Sequence, residues 1–321
     1  MLVAEIALIV LGLIVLLVAG DLLVRGAVGL ASAFKIPALI VSLTVVAFGT
    51  SAPELFVSVN AVLSGNSGIA IGNIVGSNIA NIFLVLGLPA LIYPISAHVK
   101  GLRRHGVVLL AATAALSAIA YRGGAIDQRA GVALFAGIVV YLAYLWTRAR
   151  TGGADEPVVP EVAEYAETAT STGRTVFFLI AGLIGLPLGA QLLVSNSAAL
   201  AAALGVREDV IGLTIIAFGT SLPELATVTA AAFHKKSDVA MGAVVGSNIF
   251  NILAVGGATG LAGVATFHPA SLSLDIPVMI GAALIAAFFI FARRDIHRVS
   301  GLLMCLAYAG FIARLAMNPG G

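Results

Sequence analysis

Long apolar stretches follow one another along the chain, separated by shorter polar connections. A helix of about 20 residues, rising about 1.5 Å per residue, crosses a hydrocarbon core of about 30 Å. Only 10% of the 321 residues are charged, too few to cover the surface of a soluble domain. We therefore predict an all-α integral membrane protein. Its ten transmembrane helices are expected at residues 2–24, 37–63, 69–92, 106–121, 129–147, 176–203, 209–233, 240–263, 275–292 and 299–317.

Lysine and arginine are distributed unevenly over the connections between these predicted helices. With the N-terminus outside, 13 of them fall in inside connections and 4 fall outside. The outside residues are Arg122, Arg129, Arg207 and Arg314. Cytoplasmic connections of membrane proteins carry an excess of basic residues. The distribution therefore predicts a multi-pass protein of the cell (plasma) membrane with both termini extracytoplasmic.

The chain aligns with itself at an offset of 170 residues. "AFGTSAPEL" at 47–55 meets "AFGTSLPEL" at 217–225, and "VGSNIANI" at 75–82 meets "VGSNIFNI" at 245–252. Five helices in each half reverse the direction of the second copy, so we expect two inverted five-helix repeats. The first repeat is predicted at 1–149 and the second at 175–321. The polar segment 150–174, which contains Gly and Pro, is expected to be a cytoplasmic linker.

Each copy of the first motif places a carboxylate, Glu54 or Glu224, inside an apolar span. A proline kink would explain the neighbouring Gly, Thr and Ser, because hydroxyls can serve the carbonyls that Pro53 leaves free. It does not explain the carboxylate, which is costly in a membrane unless it faces a polar cavity or a partner. Two carboxylates at equivalent depths should converge, and their repulsion calls for a cation between them.

The second motif, at 72–82 and 242–252, places polar side chains on the following span of each half. Ser77 and Asn81 are four residues apart and share one side of a helix, as do Ser247 and Asn251. Interhelical hydrogen bonding is the alternative explanation for these pairs. Glycines that recur every four residues are expected to allow close helix packing. These glycines are Gly72, Gly76, Gly242 and Gly246.

Carboxylates, backbone carbonyls, hydroxyls and amide oxygens from the two motifs would form an all-oxygen site. Such a site suits a hard cation, above all Ca²⁺, which takes about six to eight oxygen ligands. Mg²⁺ fits less well because it gives up its water reluctantly. Transition metals fit worse, because the histidines fall at span ends or in connections and neither motif contains His or Cys. The histidines are His98, His105, His234, His268 and His297.

The paired "GTS.PEL" and "GSNI.NI" motifs resemble the two α-repeats of the sodium/calcium exchangers, prokaryotic type, in the cation/calcium exchanger superfamily. The resemblance implies an antiporter that exchanges Ca²⁺ for Na⁺ by alternating access, not an enzyme, with no cofactor. It implies cation ligands on spans two, three, seven and eight. These are Ala47, Thr50, Ser51, Glu54, Ser77, Asn81, Ala217, Thr220, Ser221, Glu224, Ser247 and Asn251.

In that family the two Glu bind calcium together with backbone carbonyls at the Thr positions. Sodium sites use the same Glu with Ser, Thr and Ala oxygens, and spans one and six slide across the other eight. Potassium-dependent relatives, and some archaeal ones, have Asp where this chain has Asn251, so we expect potassium independence. The resemblance also implies electrogenic exchange of three Na⁺ per Ca²⁺. Besides these ions and the bilayer, we expect no nucleic acid and no obligatory protein partner, since one chain holds both halves of the site.

Three other functions are alternatives to sodium/calcium exchange. A proton/calcium antiporter, or one for divalent cations more broadly, fits the same scaffold because two close carboxylates titrate as a coupled pair. The Thr and Ser oxygens, which protons do not need, favour sodium. A channel would need a symmetric pore without occlusion. An enzyme would need a nucleophile with a base, or a metal held by His.

Asp21 is expected to pair locally with Arg25, outside the site.

Overall fold

The computed structural model describes residues 2–34, 36, 38–150, 172–203, 219–269 and 271–317, and these are nearly all helical. We number the helices α1 to α11 in chain order. They are α1 (Leu2–Phe34), α2 (Ala38–Thr50), α3 (Ala52–Leu63), α4 (Ser67–Ile92), α5 (Leu102–Gly123), α6 (Gln128–Arg150), α7 (Thr172–Ala203), α8 (Leu222–Phe233), α9 (Ser237–Ala262), α10 (Ser271–Ala292) and α11 (Arg298–Met317). Two short strands are β1 (Ala125–Ile126) and β2 (Ala265–Thr266).

Eight of the described helices are long and apolar enough to cross a membrane, and the bent pair α2 and α3 adds a ninth span. The predicted span 209–233 is described only from residue 219 onward, where α8 provides a shorter apolar helix. Ten spans and their inversion therefore stay predictions, as do the domain bounds, because 151–171 of the predicted linker also lie outside the described residues.

Several helices extend beyond the predicted spans. α1 continues to Phe34 instead of ending at residue 24, and α5 begins at Leu102 instead of 106. Charged residues such as Arg25 and Arg103 lower the local hydropathy without breaking a helix, so hydropathy underestimates helix length at these ends. One consequence is that His105 lies inside α5, buried, with its Nδ1 at 3.1 Å from the hydroxyl of Tyr141, rather than in a connection.

The second span is broken at Ser51, where α2 ends and α3 begins with a bend of 44°. Pro53 has no N–H to offer the Gly49 carbonyl, and proline is well suited to the first turn of the new helix. Ser221 has almost the same backbone conformation before α8, with φ −87° and ψ 2° against −88° and 5° at Ser51. The repeated Pro thus produces the same break in both halves.

Wider π-helical turns interrupt α4 and α9 at equivalent places, Asn81–Val85 and Asn251–Val255. Both turns begin at a predicted ligand. A π-turn shifts the hydrogen-bond register by one residue and is frequent at functional sites. α2 contains a third π-turn at Ser42–Val46. A fourth π-turn, Ser271–Asp275, begins α10, so three of the four π-turns in the described residues lie within or next to the two motifs.

α4 and α9 lie at the centre of the bundle and α1 lies at its edge. In the most apolar stretch of α9, 94% of residues are buried, against 28% in α1. α1 packs mainly along α7, and the two helices approach closely at glycines. A Cβ atom added to Gly182 would lie 2.7 Å from the Cβ of Leu23, and one added to Gly12 would lie 2.7 Å from the backbone nitrogen of Leu193.

Two short antiparallel pairings connect the halves of the chain. β1 pairs with β2 through Ile126 and Ala265, and a separate bridge joins Ile95 to Ile296. Ile296 follows Ile126 by the 170-residue offset of the motifs, and Ala265 follows Ile95 by the same offset. The two pairings therefore occupy equivalent places, as a two-fold relation between the halves would require.

Candidate cation site

Glu54 and Glu224 lie in the first turns of α3 and α8, directly after the two helix breaks. Their side chains are 1% and 0% exposed, and their carboxylates are close enough to interact electrostatically. The N-terminus of a helix carries a partial positive charge that favours a carboxylate in this position. The structure thus brings together the two acids that the sequence places in separate halves.

Hydroxyl groups from the other elements surround one oxygen of Glu224. Its Oε1 accepts hydrogen bonds from Ser51 Oγ at 3.1 Å and from Ser247 Oγ at 3.5 Å. Ser247 Oγ in turn lies 3.3 Å from Thr50 Oγ1. Ser51 belongs to the first half and Ser247 to the second, so the Glu224 carboxylate is held by one hydroxyl from each half.

Glu54 is held differently, because neither of its carboxylate oxygens has a hydrogen-bond partner among the described residues. Glu224 Oε2 and the amide oxygens of Asn81 and Asn251 also have no partner there, so these unpaired oxygens outnumber the unpaired amide nitrogens, those of Asn248 and Asn251. Buried acceptors without donors are costly. A hard cation would interact favourably with these unpaired acceptor oxygens. The set of oxygen ligands therefore fits Ca²⁺ or Na⁺.

The two π-turns that begin at Asn81 and Asn251, here called the asparagine turns, each pack against a helix of the opposite half. The turn that begins at Asn81 packs against α8, which carries Glu224, and the turn that begins at Asn251 packs against α3, which carries Glu54. Within the described ranges, no three His, Cys, Asp or Glu side chains come together. The cluster is therefore one of two carboxylates supplemented by neutral oxygens.

Eleven of the twelve predicted ligands fall within the described residues, and Ala217 lies outside them. Hydrogen bonds between side chains connect four of the eleven directly, namely Thr50, Ser51, Glu224 and Ser247. Thr220 is partly exposed. The buried ones are Ala47, Thr50, Ser51, Glu54, Ser77, Asn81, Ser221, Glu224, Ser247 and Asn251. Their role as ligands stays a prediction.

Asn78 and Asn248, the third residue of each "GSN", were not among the predicted site residues. Asn248 Oδ1 accepts a hydrogen bond of 3.2 Å from Asn81 Nδ2, which fixes the Asn81 amide across the two halves. Asn78 is also buried, and its Nδ2 donates to the Ile74 carbonyl at 2.7 Å. The signal was available, because both are polar, lie in apolar spans and recur at the 170-residue offset.

Asp21 lies on α1 and takes part in a separate ion pair. Its Oδ2 is 2.8 Å from Arg25 Nε, which confirms the local i, i+4 pair. Its Oδ1 also contacts Nε2 of His234, which follows α8. This contact connects α1 to the connection between α8 and α9. It involves neither of the buried carboxylates.

Comparison with known proteins follows the same division into halves. A family profile described as "Sodium/calcium exchanger protein" matches residues 4–147 and again residues 174–317. The chain is 37% identical over 316 residues to the inner membrane protein YrbG of Escherichia coli (strain K12), covering 97% of this chain and 95% of that one. It is 30% identical over 337 residues to the sodium/calcium exchanger MaX1 of Methanosarcina acetivorans, covering 95% and 96%.

A solved structure of a sodium-calcium exchanger has a similar fold. The chain is similar to the sodium-calcium exchanger NCX_Mj soaked with 2.5 mM Na⁺ and 0.1 mM Ca²⁺, with a TM-score of 0.82 and 32% sequence identity. The likeness covers 98% of this chain and 99% of that one. It therefore includes the central helices that carry both motifs.

Proposed function

Because the chain belongs to the sodium/calcium exchanger family, we propose that it exchanges Ca²⁺ for Na⁺ across the cell membrane by alternating access. The observation that carries the proposal is the buried pair Glu54 and Glu224, contributed by the two halves. Three of their four carboxylate oxygens have no hydrogen-bond donor within the described residues. A resident structural role would have satisfied these oxygens with donors, whereas a transported cation must be able to enter and leave.

The proposed ligands are the twelve residues of the two motifs, with the two Glu at the centre. Two bidentate carboxylates would supply four of the six to eight oxygens that Ca²⁺ takes and would neutralise its charge. The hydroxyls of Thr50 and Ser51, with their counterparts Thr220 and Ser221, provide the additional oxygens that several Na⁺ ions need. The same carboxylates would then serve both ions in turn.

Charge explains why exchange is coupled. A site with two ionised carboxylates and no cation carries a charge of −2, and moving it through the low-dielectric barrier is costly. Loading with one Ca²⁺ or with several Na⁺ removes that cost, so only loaded states change access. Asn251, in place of a third carboxylate, keeps the site at two charges and favours independence of K⁺.

Reciprocal contacts between the halves support an inverted-repeat architecture. The two strand pairings and the crossed packing of the asparagine turns all exchange equivalent elements. Such an arrangement would place both breaks near the bilayer midplane. One chain then contributes both sides of the site, so a monomer suffices for transport. The arginine and lysine distribution supports extracytoplasmic termini and a cytoplasmic linker at 150–174.

Radioactive calcium uptake into proteoliposomes tests the coupling ion. Vesicles loaded with Na⁺ and diluted into Na⁺-free medium should accumulate calcium, whereas an outward proton gradient alone should not drive uptake. Replacing K⁺ by choline on both sides should leave the sodium-driven rate unchanged. Uptake driven by protons and not by sodium would support the proton/calcium alternative. No calcium movement under either gradient would contradict both.

Membrane potential tests electrogenicity. If three Na⁺ leave for each Ca²⁺ that enters, one positive charge leaves per cycle. An inside-positive potential should then increase calcium accumulation at equilibrium, about tenfold for each 60 mV. A potassium diffusion potential set with valinomycin provides the voltage, because the exchanger itself is expected to ignore K⁺. Accumulation that does not change with voltage would indicate electroneutral exchange of two Na⁺ per Ca²⁺.

A further inference from the structure

The two halves differ at a polar position beside the site, Asn73 in α4. Its Nδ2 donates hydrogen bonds to the backbone carbonyl of Glu54 at 3.0 Å and to Ser58 Oγ at 2.9 Å. At the 170-residue offset, Ala243 replaces Asn73 and Val228 replaces Ser58. These apolar side chains can form neither bond, so the carbonyl of Glu224 has no corresponding donor at position 243.

Asn73 connects α4 to the start of α3. Glu54 lies in the first turn of α3, directly after the break at Ser51. Asn73 lies one helical turn before Ser77 in α4, on the same side of that helix. The bond to the Glu54 carbonyl therefore fixes the start of α3 against the helix that carries Ser77.

The two carboxylates are positioned by different means. Glu224 is held at its carboxylate, where Oε1 accepts from the hydroxyls of Ser51 and Ser247. Glu54 is held at its backbone by Asn73, and both of its carboxylate oxygens are without partners in the described part of the chain. Positioning through the backbone leaves the whole carboxylate of Glu54 available to a cation.

We propose that Asn73 is a positioning residue that holds Glu54 in the geometry required by the divalent cation. This inference rests on the proposed exchange of Ca²⁺ for Na⁺. Ca²⁺ carries twice the charge of Na⁺ and needs both oxygens of a bidentate carboxylate, so a displaced Glu54 weakens calcium binding more than sodium binding. Asn73 therefore contributes to the preference for calcium without contacting the ion.

The variant Asn73→Ala tests the proposal by calcium titration calorimetry and by exchange kinetics in proteoliposomes. Loss of an outer-shell hydrogen bond typically weakens metal binding about 10–100-fold. We expect calcium affinity to fall by about tenfold and the KM for calcium to rise in parallel, with the maximal rate and the sodium dependence changed by less than about threefold. Asn73→Leu, which keeps the volume but not the donor, should behave like Asn73→Ala.

Two control variants separate the Glu54 bond from general packing. Ser58→Ala removes the other acceptor of Asn73 and should leave calcium affinity close to that of the wild type. Thr227→Val, in the second half, replaces a buried hydroxyl that donates to its own helix at the Pro223 carbonyl with the residue found at the equivalent position, Val57. It should bind calcium like the wild type.

Three results would overturn the inference. These are wild-type calcium affinity in Asn73→Ala, an equal loss in Ser58→Ala, or an equal weakening of sodium and calcium. A wild-type protein that neither binds nor exchanges calcium would instead overturn the proposed function, and the inference with it. The wild-type titration therefore distinguishes the two failures. Melting temperatures of all variants show whether each one is folded.

Discussion

Glu54→Gln and Glu224→Gln should each abolish sodium-driven calcium uptake. Removing one member of a buried set of charges costs about 3–5 kcal/mol, which corresponds to a loss of more than about 100-fold in binding. With one carboxylate the site has charge −1, so a bound Ca²⁺ leaves an excess positive charge in the interior of the protein. Uptake into Na⁺-loaded proteoliposomes measures the effect directly.

The same substitutions should raise thermal stability when cations are absent. Glu54 and Glu224 repel each other while both are ionised, and glutamine keeps the shape of the side chain without its charge. Melting curves in cation-free buffer should therefore shift upward, while the shift that calcium produces in the wild type should be lost. Loss of transport with a lowered melting temperature would instead indicate a folding defect.

Asp127→Asn provides a control for the loss of an acid as such. Asp127 is exposed, lies in the connection before α6, and accepts a hydrogen bond of 2.8 Å from the Ala130 backbone. Its substitution should leave uptake unchanged. If Glu54→Gln transported calcium at the wild-type rate, the Glu54 carboxylate would be excluded as a ligand and the proposed site would be contradicted.

Gly246→Ala should lower both stability and transport, the latter by about tenfold or more. A Cβ at Gly246 would lie 2.7 Å from the Cβ of Ala47 and 3.0 Å from the Cα of Leu43. Both belong to α2 and cannot yield without moving its backbone, and overpacking of this kind costs about 1–3 kcal/mol. Ser247, the next residue, donates to Glu224, so the strain reaches the site directly.

Gly281→Ala is the matched control for this glycine. It lies within α10, and a Cβ there meets no atom within 4 Å in the described structure. Replacing a helical glycine by alanine is otherwise stabilising by about 0.5–1 kcal/mol. Gly281→Ala should therefore melt at or above the wild-type temperature and transport normally. If Gly246→Ala and Gly281→Ala had the same melting temperature and transport rate, the close helix contact at Gly246 would not be needed for stability or transport.

Several features could be predicted because they depend on residue type alone. A carboxylate in an apolar run, a proline four residues after a glycine and a repeat at a fixed offset are visible in the sequence, and they identify Glu54, Glu224 and the two breaks. The small-residue pattern also predicts the close contact now seen at Gly242 and Gly246. For Gly72 and Gly76 the equivalent contact would involve 212–217, outside the described residues, and stays a prediction.

Other features depend on backbone geometry that a side-chain pattern does not encode. The π-turns at Asn81 and Asn251 differ from α-helix by one residue of hydrogen-bond register, and hydropathy is insensitive to that shift. The role of Asn73 could not be predicted from the repeat, because its counterpart in the second half is the apolar Ala243. The unequal hydrogen bonding of Glu54 and Glu224 likewise follows from the positions of neighbouring helices.

The reciprocal strand pairings have a consequence for biogenesis. Ile126 of the first half pairs with Ala265 of the second, and Ile95 pairs with Ile296, so each pairing needs both halves. Each half alone would leave one backbone edge of each pairing without its partner. Neither half is therefore a complete folding unit. Both pairings can form only after the helices that precede Ile296 in the second half have been inserted.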